Sequence, residues 1–425
     1  MTKYLWIIIL TFILSTSAVS HGILLGYSAV PTPSIASFTN SIGVQTHIGL
    51  ASSPYDNLST IQTALSFVGI KHVRDGIGSS ADLIIMQELN SALGTTFDSL
   101  ISFSTAYGET CPPTGWNYSN VLSSIQANPT LFEAVEGANE VDSYVPCWNS
   151  VSSIAAGIAE QEQLWSTYPP LPVYSLTLAS IANLAEVGNI SNYVSQVGSH
   201  VYPQYYGTEG ESVYTASQVI TSTNNATLAP GKPNVITEGG WWTAPYSTGV
   251  SQLIQAKLEL SFLLDNYSLG VTRTYLYELF DELSDPTAAN FQDHFGLFNF
   301  DGTAKTFATA LNTMQTILHD TGTLTTPGSL SYTLSGMPTA GHSLLFERSD
   351  GTFILALWND APVWDNNNYV PITVASSTVT VTPATTPSSM NEYDPLVGTT
   401  AVTSSTSASI SFSLVDHPVF VLISP

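Results

Sequence analysis

Two glutamates in this sequence stand where hydrolytic chemistry would need them. Asn139-Glu140 closes the apolar run in LFEAVEGANEVD (Leu131 to Asp142), and Glu238 follows another in NVITEGGWW (Asn234 to Trp242). Acids placed where a buried strand gives way to loop lie where barrels of parallel strands collect their catalytic groups. Breaking an acetal uses two of them, one to protonate the leaving oxygen and one to meet the oxocarbenium-like carbon. Glu140, beside an amide able to hold a sugar hydroxyl, suits general acid and then base. Glu238, followed by Gly239-Gly240 where the backbone can approach a substrate, suits the nucleophile. The bland reading of either residue alone is a surface acid; two at apolar strand ends argue for function.

To hold two such acids across one cleft, the strands must form a continuous sheet. From Gln45 to Leu318 short apolar runs alternate with longer helix-like segments. The pattern predicts strands near Val44 to Leu50, Lys71 to Arg74, Phe97 to Ser104, Leu131 to Gly137, Val173 to Leu178, Gly198 to Tyr202, Asn234 to Thr237 and Val271 to Tyr277. Helices are expected between them, as at Asn57 to Val68, Val151 to Tyr168 and Ser251 to Tyr267. Eight such units make a (β/α)8 TIM barrel. A doubly wound open sheet is the rival, but no glycine-rich phosphate loop follows the first strand. After Asp320 the chain turns rich in Thr, Ser, Gly and Pro. SLLFERSDGTFILALWN (Ser343 to Asn359) reads as two strands about a Ser-Asp-Gly turn, with further strands at Tyr369 to Val374, Ser377 to Thr382, Ala408 to Leu414 and Val419 to Ile423. The expected fold class is therefore α/β, a barrel over residues 41–320 with a C-terminal β-sandwich over 321–425. Within the N-terminal segment 21–40, the apolar stretch Ile23 to Phe38 is a candidate extra strand of the sandwich.

Residues 1–20 read as a secretory signal: Lys3, an apolar core from Tyr4 to Leu14, then Ala18-Val19-Ser20. The apolar run is short for a bilayer span, so no stable membrane anchor is expected once the signal is cleaved. The mature chain is expected to be extracellular, free or associated with the cell surface. Only 9% of residues are charged, and the net charge of −24 reflects scarce Lys and Arg. No basic stripe is available for phosphates, which excludes a nucleic-acid partner. A surface with so few bases gains little positive charge when its acids are protonated, which suggests an acidic habitat. The two cysteines, Cys111 and Cys147, follow successive predicted strands and have no metal-ligand spacing around them, so a disulfide joining two loops is expected. Sequons at Asn57, Asn117, Asn189, Asn225 and Asn266 permit glycosylation. His47 in the first strand either faces substrate or completes a barrel layer. Trp241, after Glu238, offers an indole face for a sugar ring or for the core.

The Asn139-Glu140 pair ending a fourth strand and Glu238 ending a seventh resemble clan A of the retaining glycoside hydrolases. The chain is most similar to the two-domain enzymes of families 5, 30 and 39, and the resemblance covers nearly all of the mature chain. It implies a β-linked glycan as substrate, double displacement through a glycosyl-enzyme, and no metal or organic cofactor. Arg74 in KHVRDG matches the clan's arginine that bonds the nucleophile; an ion pair with Glu136 is the structural alternative at the same position. His200 and Tyr202 in GSHVYPQY match a His-x-Tyr after strand six, with core packing the alternative. The last barrel strand departs from the pattern: Tyr277 and Glu278 stand where the clan places a tryptophan, which adds a third acid that could bind hydroxyls or a cationic group.

Two rival classes stand against this reading. Asp320-Thr321-Gly322-Thr323 reads as an aspartic-protease signature, but that mechanism needs a second such motif and the sequence has none. A non-catalytic glycan-binding or surface-layer protein on a barrel would need no nucleophile, and fold alone does not decide against it.

Overall fold

A computed structural model describes residues 24–25, 32–101, 104–106, 118–148, 151–152, 154–167, 170–206, 213–245 and 247–425. The signal-like segment 1–20, Cys111 and the side chain of Cys147 lie outside the described residues, and with them the expected disulfide.

Parallel strands β1 (Ile42–Gln45), β2 (His72–Gly76), β3 (Thr96–Leu100), β4 (Phe132–Glu136), β5 (Val173–Tyr174), β6 (Val197–Val201), β7 (Asn234–Gly239) and β8 (Thr274–Leu276) pair in cyclic order. The ladder runs from β6 through β8 and β1 to β5, and a parallel bridge from Tyr174 to Gln196 closes the remaining gap. Helices α1 (Leu58–Val68), α2 (Ser80–Leu93), α3 (Tyr118–Ala127), α4 (Ile154–Thr167), the one-turn α5 (Leu184–Val187), α6 (Val213–Leu228), α7 (Gln252–Ser268) and α8 (Thr306–Leu318) follow the strands in turn. The helices start on the expected chemistry: Asn57, Ser79 and Ser251 each accept a backbone N–H of the first turn of α1, α2 and α7. The result is the (β/α)8 barrel, not an open sheet.

Some strands are shorter than their apolar runs. β1 ends at Gln45 because the next residues turn to Asp75, whose Oδ2 accepts from Thr46 Oγ1 at 2.6 Å and Ile48 N at 2.8 Å. His47 therefore belongs to the loop after β1, not to the strand. β8 narrows to Thr274–Leu276, leaving Tyr277 and Glu278 just beyond it.

The C-terminal region forms two antiparallel sheets. One contains β9 (Tyr332–Ser335), β12 (Ser377–Pro383) and β15 (Ile410–Leu414), joined at its edge by the short strand Leu24–Leu25. The other orders β10 (Gly341–Glu347), β11 (Phe353–Asn359), β16 (Val419–Ser424), β13 (Ser389–Tyr393) and β14 (Thr403–Ser405). The predicted strand at Tyr369 to Val374 reduces to Val370–Pro371 paired with Trp364–Asp365, because Asp365 Oδ1 accepts from the backbone of Asn367 and Asn368 and tightens the chain into a turn.

The alternation of β11 ties the two domains together. Phe353, Leu355 and Leu357 enter the core between the sheets, while Ile354, Ala356 and Trp358 enter the core shared with the barrel helices. Both faces are buried, which is why FILALWN is apolar throughout. Polar ties reinforce the contact: Trp358 Nε1 donates to Asp265 Oδ1 at 2.7 Å, Lys257 Nζ to Asp416 Oδ2 at 2.6 Å, and Asp360 accepts the N–H groups of Val213 and Tyr214 at the start of α6. Asn266 is fully buried on α7, so that sequon is inaccessible in the folded chain.

Candidate active site

The centre of the site is Arg74, on β2 and 1% exposed. Its Nε and Nη2 donate to the two oxygens of Glu136 at 2.6 and 2.9 Å, forming a bidentate pair inside the barrel. Its remaining donors reach upward, Nη1 to Glu238 Oε1 at 2.6 Å and to Gln45 Oε1 at 2.7 Å, and Nη2 to Asn139 Oδ1 at 2.8 Å. The two roles considered for Arg74, structural partner of Glu136 and ligand of the nucleophile candidate, are held at once. The planar five-donor fork permits this, where a lysine could not.

Glu238 receives a second fixed donor: Tyr202 O–H donates to its Oε2 at 2.7 Å, and His200 Nδ1 stands 3.5 Å from the same atom. Burial by itself would push this carboxyl up. The charges of His200 and Arg74 and the bonds from Tyr202 and Arg74 outweigh it and hold Glu238 below the usual carboxylate range, hence ionised. Burial and the neighbouring Glu238 raise the Tyr202 phenol well above its ordinary value, so it stays a donor.

Glu140 faces Glu238 from the loop after β4. Its backbone is left-handed at φ 43°, an uncommon state for a side-chain-bearing residue, and is held there by Thr177 Oγ1 accepting its N–H at 3.0 Å. Such strain gathers at functional positions. His200 Nδ1 lies 2.8 Å from Glu140 Oε1. Burial would lower the imidazole, but Glu238 and Glu140 more than offset it and raise it. One oxygen each of Glu140 and Glu238 and a ring nitrogen of His200 all lie within 4.8 Å of one another.

These groups open into a cleft of about 820 Å³ at the C-terminal end of the barrel, the end where such folds place chemistry. Asn139, Glu140, Arg74, His200, Tyr202, Glu238, His47 and Tyr277 all line it. Tyr277 takes the place of the missing tryptophan; its ring meets His47 and Tyr202 edge-on, and its O–H donates to Glu282 Oε1 at 2.8 Å. Burial lowers the His47 imidazole, with Glu282 and Glu238 opposing.

Trp241 and Glu278 do not reach the cleft. Trp241 is buried against Phe262 of α7, with ring centroids 5.5 Å apart, because the chain past Gly240 turns outward toward the helix layer. Its indole is core. Glu278 is 0% exposed, and its Oε2 is bonded to the Tyr55 phenol at 2.7 Å. Burial, then the neighbouring Glu282, push this acid well above the carboxylate range, so it is neutral. Gly239 and Gly240 serve packing and not substrate approach: a Cβ would stand 2.6 Å from Phe262 at the first and 2.4 Å from the Tyr277 carbonyl at the second. Asp320 lies past α8, where its carboxylate accepts from Ser349 and Gly322 in a turn far from the cleft residues.

Gln45, Asp75 and Glu282 line the cleft without having been expected there. Gln45 carried a signal, since it stands two residues before His47 and next to the strand end. Glu282, four residues past Glu278, carried none. Among the described residues, two groups have donor sets able to hold a metal ion, His47 with Glu278 and Glu282, and Glu140 with His200 and Glu238. Acetal hydrolysis by a carboxylate pair requires no metal.

No family model matches this sequence, and no curated protein matches it. Solved structures do. A family 39 glycoside hydrolase from the gut symbiont Bacteroides cellulosilyticus WH2 superposes with a TM-score of 0.62 at 13% identity, over 94% of this chain and 84% of that one. A glucosidase from Croceicoccus marinus gives 0.62 at 10% identity, over 95% of this chain and 98% of that one. A monomeric beta-xylosidase from Caulobacter crescentus CB15 gives 0.57 at 12% identity, over 93% and 97%. At these identities the likeness speaks for architecture: the chain has the barrel-and-sandwich fold of family 39 and related clan A glycoside hydrolases.

Proposed function

We propose that this protein is a secreted retaining β-glycosidase or endo-β-glycanase. The observation that carries the reading is the carboxylate pair, with oxygens of Glu140 and Glu238 within 4.8 Å. Retaining enzymes hold their carboxyl groups about 5–5.5 Å apart, whereas inverting ones leave room for a water at roughly 6.5–9.5 Å. Glu238, kept ionised by Arg74 and Tyr202, attacks the anomeric carbon. The bond to the leaving oxygen breaks as Glu140 delivers its proton. Water then attacks the glycosyl-enzyme, Glu140 takes a proton from it, and Glu238 is released. The xylosidase and glucosidase among the fold neighbours are compatible with a β-linked glycan substrate. Secretion rests on the signal-like residues 1–20, and an acidic working range on the scarcity of bases and on Glu238 being held below the usual carboxylate range by His200, Arg74 and Tyr202.

The test is hydrolysis of β-linked polysaccharides and aryl β-glycosides across pH 3–7 by wild type, Glu238→Ala and Glu140→Ala. Wild type cuts at least one, Glu238→Ala loses more than about 10⁴-fold, and azide converts Glu140→Ala into a producer of β-glycosyl azide. Glycan binding that survives both substitutions, with no cleavage by wild type, would mean a binding protein.

A further inference from the structure

A second cavity of about 500 Å³ opens beside the first, formed by the loops after β1 and β2. It shares His47, Asp75, Gly76 and Leu100 with the catalytic cleft, so the two are continuous. Its far wall is built from Leu50, Ile77 and the turn Gly78-Ser79 that starts α2. Two buried carboxylates border it. Asp75 is fixed by Thr46, Ile48 and Gly76, and Asp82 by the backbone N–H of Gly78 and the Ser79 hydroxyl. Burial pushes Asp75 up to about 8, so in the acid range it is a carboxylic acid that can donate as well as accept, and Asp82 keeps acceptor capacity on pinned oxygens. Each cavity is of ligand size, roughly 300–1,000 Å³.

The direction of this extension has a consequence for the substrate. Between the two acids, the sugar attacked by Glu238 needs its hydroxyls fixed as the oxocarbenium forms. His47 and Asp75, which line both cavities, are polar groups able to hold such hydroxyls, and Gln45, Tyr277 and Glu282 add others in the cleft lining. The second cavity therefore continues from groups that can hold the attacked sugar.

Resting on the glycosidase reading above, we infer that the cleft seats at least one further sugar beyond the attacked one, in the cavity between the β1 and β2 loops. The enzyme then releases a disaccharide or longer unit and acts on chains, in contrast to an enzyme that removes single terminal sugars.

The experiment compares wild type on aryl β-glycosides of one, two and three sugars, in the gluco, xylo and manno series, following aryl release and saccharide products. Expected is a kcat/KM at least about tenfold higher for the two-sugar than the one-sugar glycoside, a difference of about 1.4 kcal/mol, with intact disaccharide as product. Leu50→Trp, which fills the second cavity from its rim, should bring the two-sugar value down to the one-sugar value, with thermal melting reporting that the variant is folded. Faster cleavage of the one-sugar glycoside, or single sugars clipped stepwise from longer ones, overturns the inference and leaves the glycosidase reading intact. Cleavage of none, polysaccharides included, overturns both.

Discussion

Strand β4 carries a glutamate near each end of the barrel, and an arginine meets each one. At the lower end Glu133 accepts from Arg273, from Tyr275 O–H at 2.9 Å and from Thr96 Oγ1 at 2.7 Å, and pairs with His72 Nδ1 at 2.6 Å. At the upper end Arg74 divides its donors among Glu136, Glu238, Gln45 and Asn139. The ingredients are nearly the same. The lower cluster is closed on itself, with several donors converging on one carboxylate, and it stabilises the barrel. The upper cluster spreads one cation over two carboxylates, and the second of these, Glu238, faces a cleft. A polar network becomes reactive when one of its members is fixed by the rest yet remains open to a ligand.

The largest effect expected from breaking this contrast is at Arg74. Arg74→Met leaves Glu136 and Glu238 buried without their cation and should cost about 3–5 kcal/mol in urea unfolding. It should also lower kcat by about 10²–10³-fold and move the acidic limb of kcat/KM upward, because Glu238 loses a charge that lowers it. If kcat survives this substitution, the upper cluster is structural like the lower one.

Arg273→Met should separate stability from activity. We expect a loss of about 1.5–3 kcal/mol, with kcat/KM on the best substrate within about twofold of wild type. The same cluster sets a pH window. Burial alone would raise Glu133, but His72 and Arg273 hold it at about 2, below an unfolded value near 4.5. A depressed carboxyl contributes stability above its unfolded pKa and loses it as pH falls toward the folded one. Urea midpoints should therefore drop between about pH 4.5 and 2, and Glu133→Gln should flatten that drop. An unchanged slope in the variant would remove Glu133 from the account.

Tyr202→Phe takes one donor from Glu238 and should reduce kcat/KM about tenfold, shifting the acidic limb upward in the same sense as Arg74→Met but less. The smallest effect belongs to Glu278→Gln. Because that acid is already neutral, an amide of the same shape should alter stability by less than about 1 kcal/mol and leave the pH profile in place; a large shift would show that it carries charge.

The residues legible from sequence are those fixed by strand ends. Asn139, Glu140, Glu238, Arg74, His200 and Tyr202 come from four separate strands and the loops that follow them, and converge on one cleft. Apolar runs located the eight strands even where they overstated their lengths, since burial extends past the last ladder bond. Sequence reasoning failed where side-chain direction past a strand end decides the outcome. Trp241 follows two glycines whose backbones are pressed against Phe262 and Tyr277, and the chain there turns into the helix layer. Glu278 and Glu282 have the same chemistry in sequence; only packing places the first against Tyr55 and the second in the cleft.

The junction between barrel and sandwich bears on how such a chain could be inherited or recombined. Asp360 caps the helix that follows the Tyr202 strand, while Trp358 and Asp416 grip the helix that follows the Glu238 strand. A crossover near residue 320 that exchanged this sandwich for an unrelated one would strip a helix cap and strand Asp265 and Lys257 on the barrel's outer helix. A working chimera must therefore carry Trp358, Asp360 and Asp416 along with the barrel.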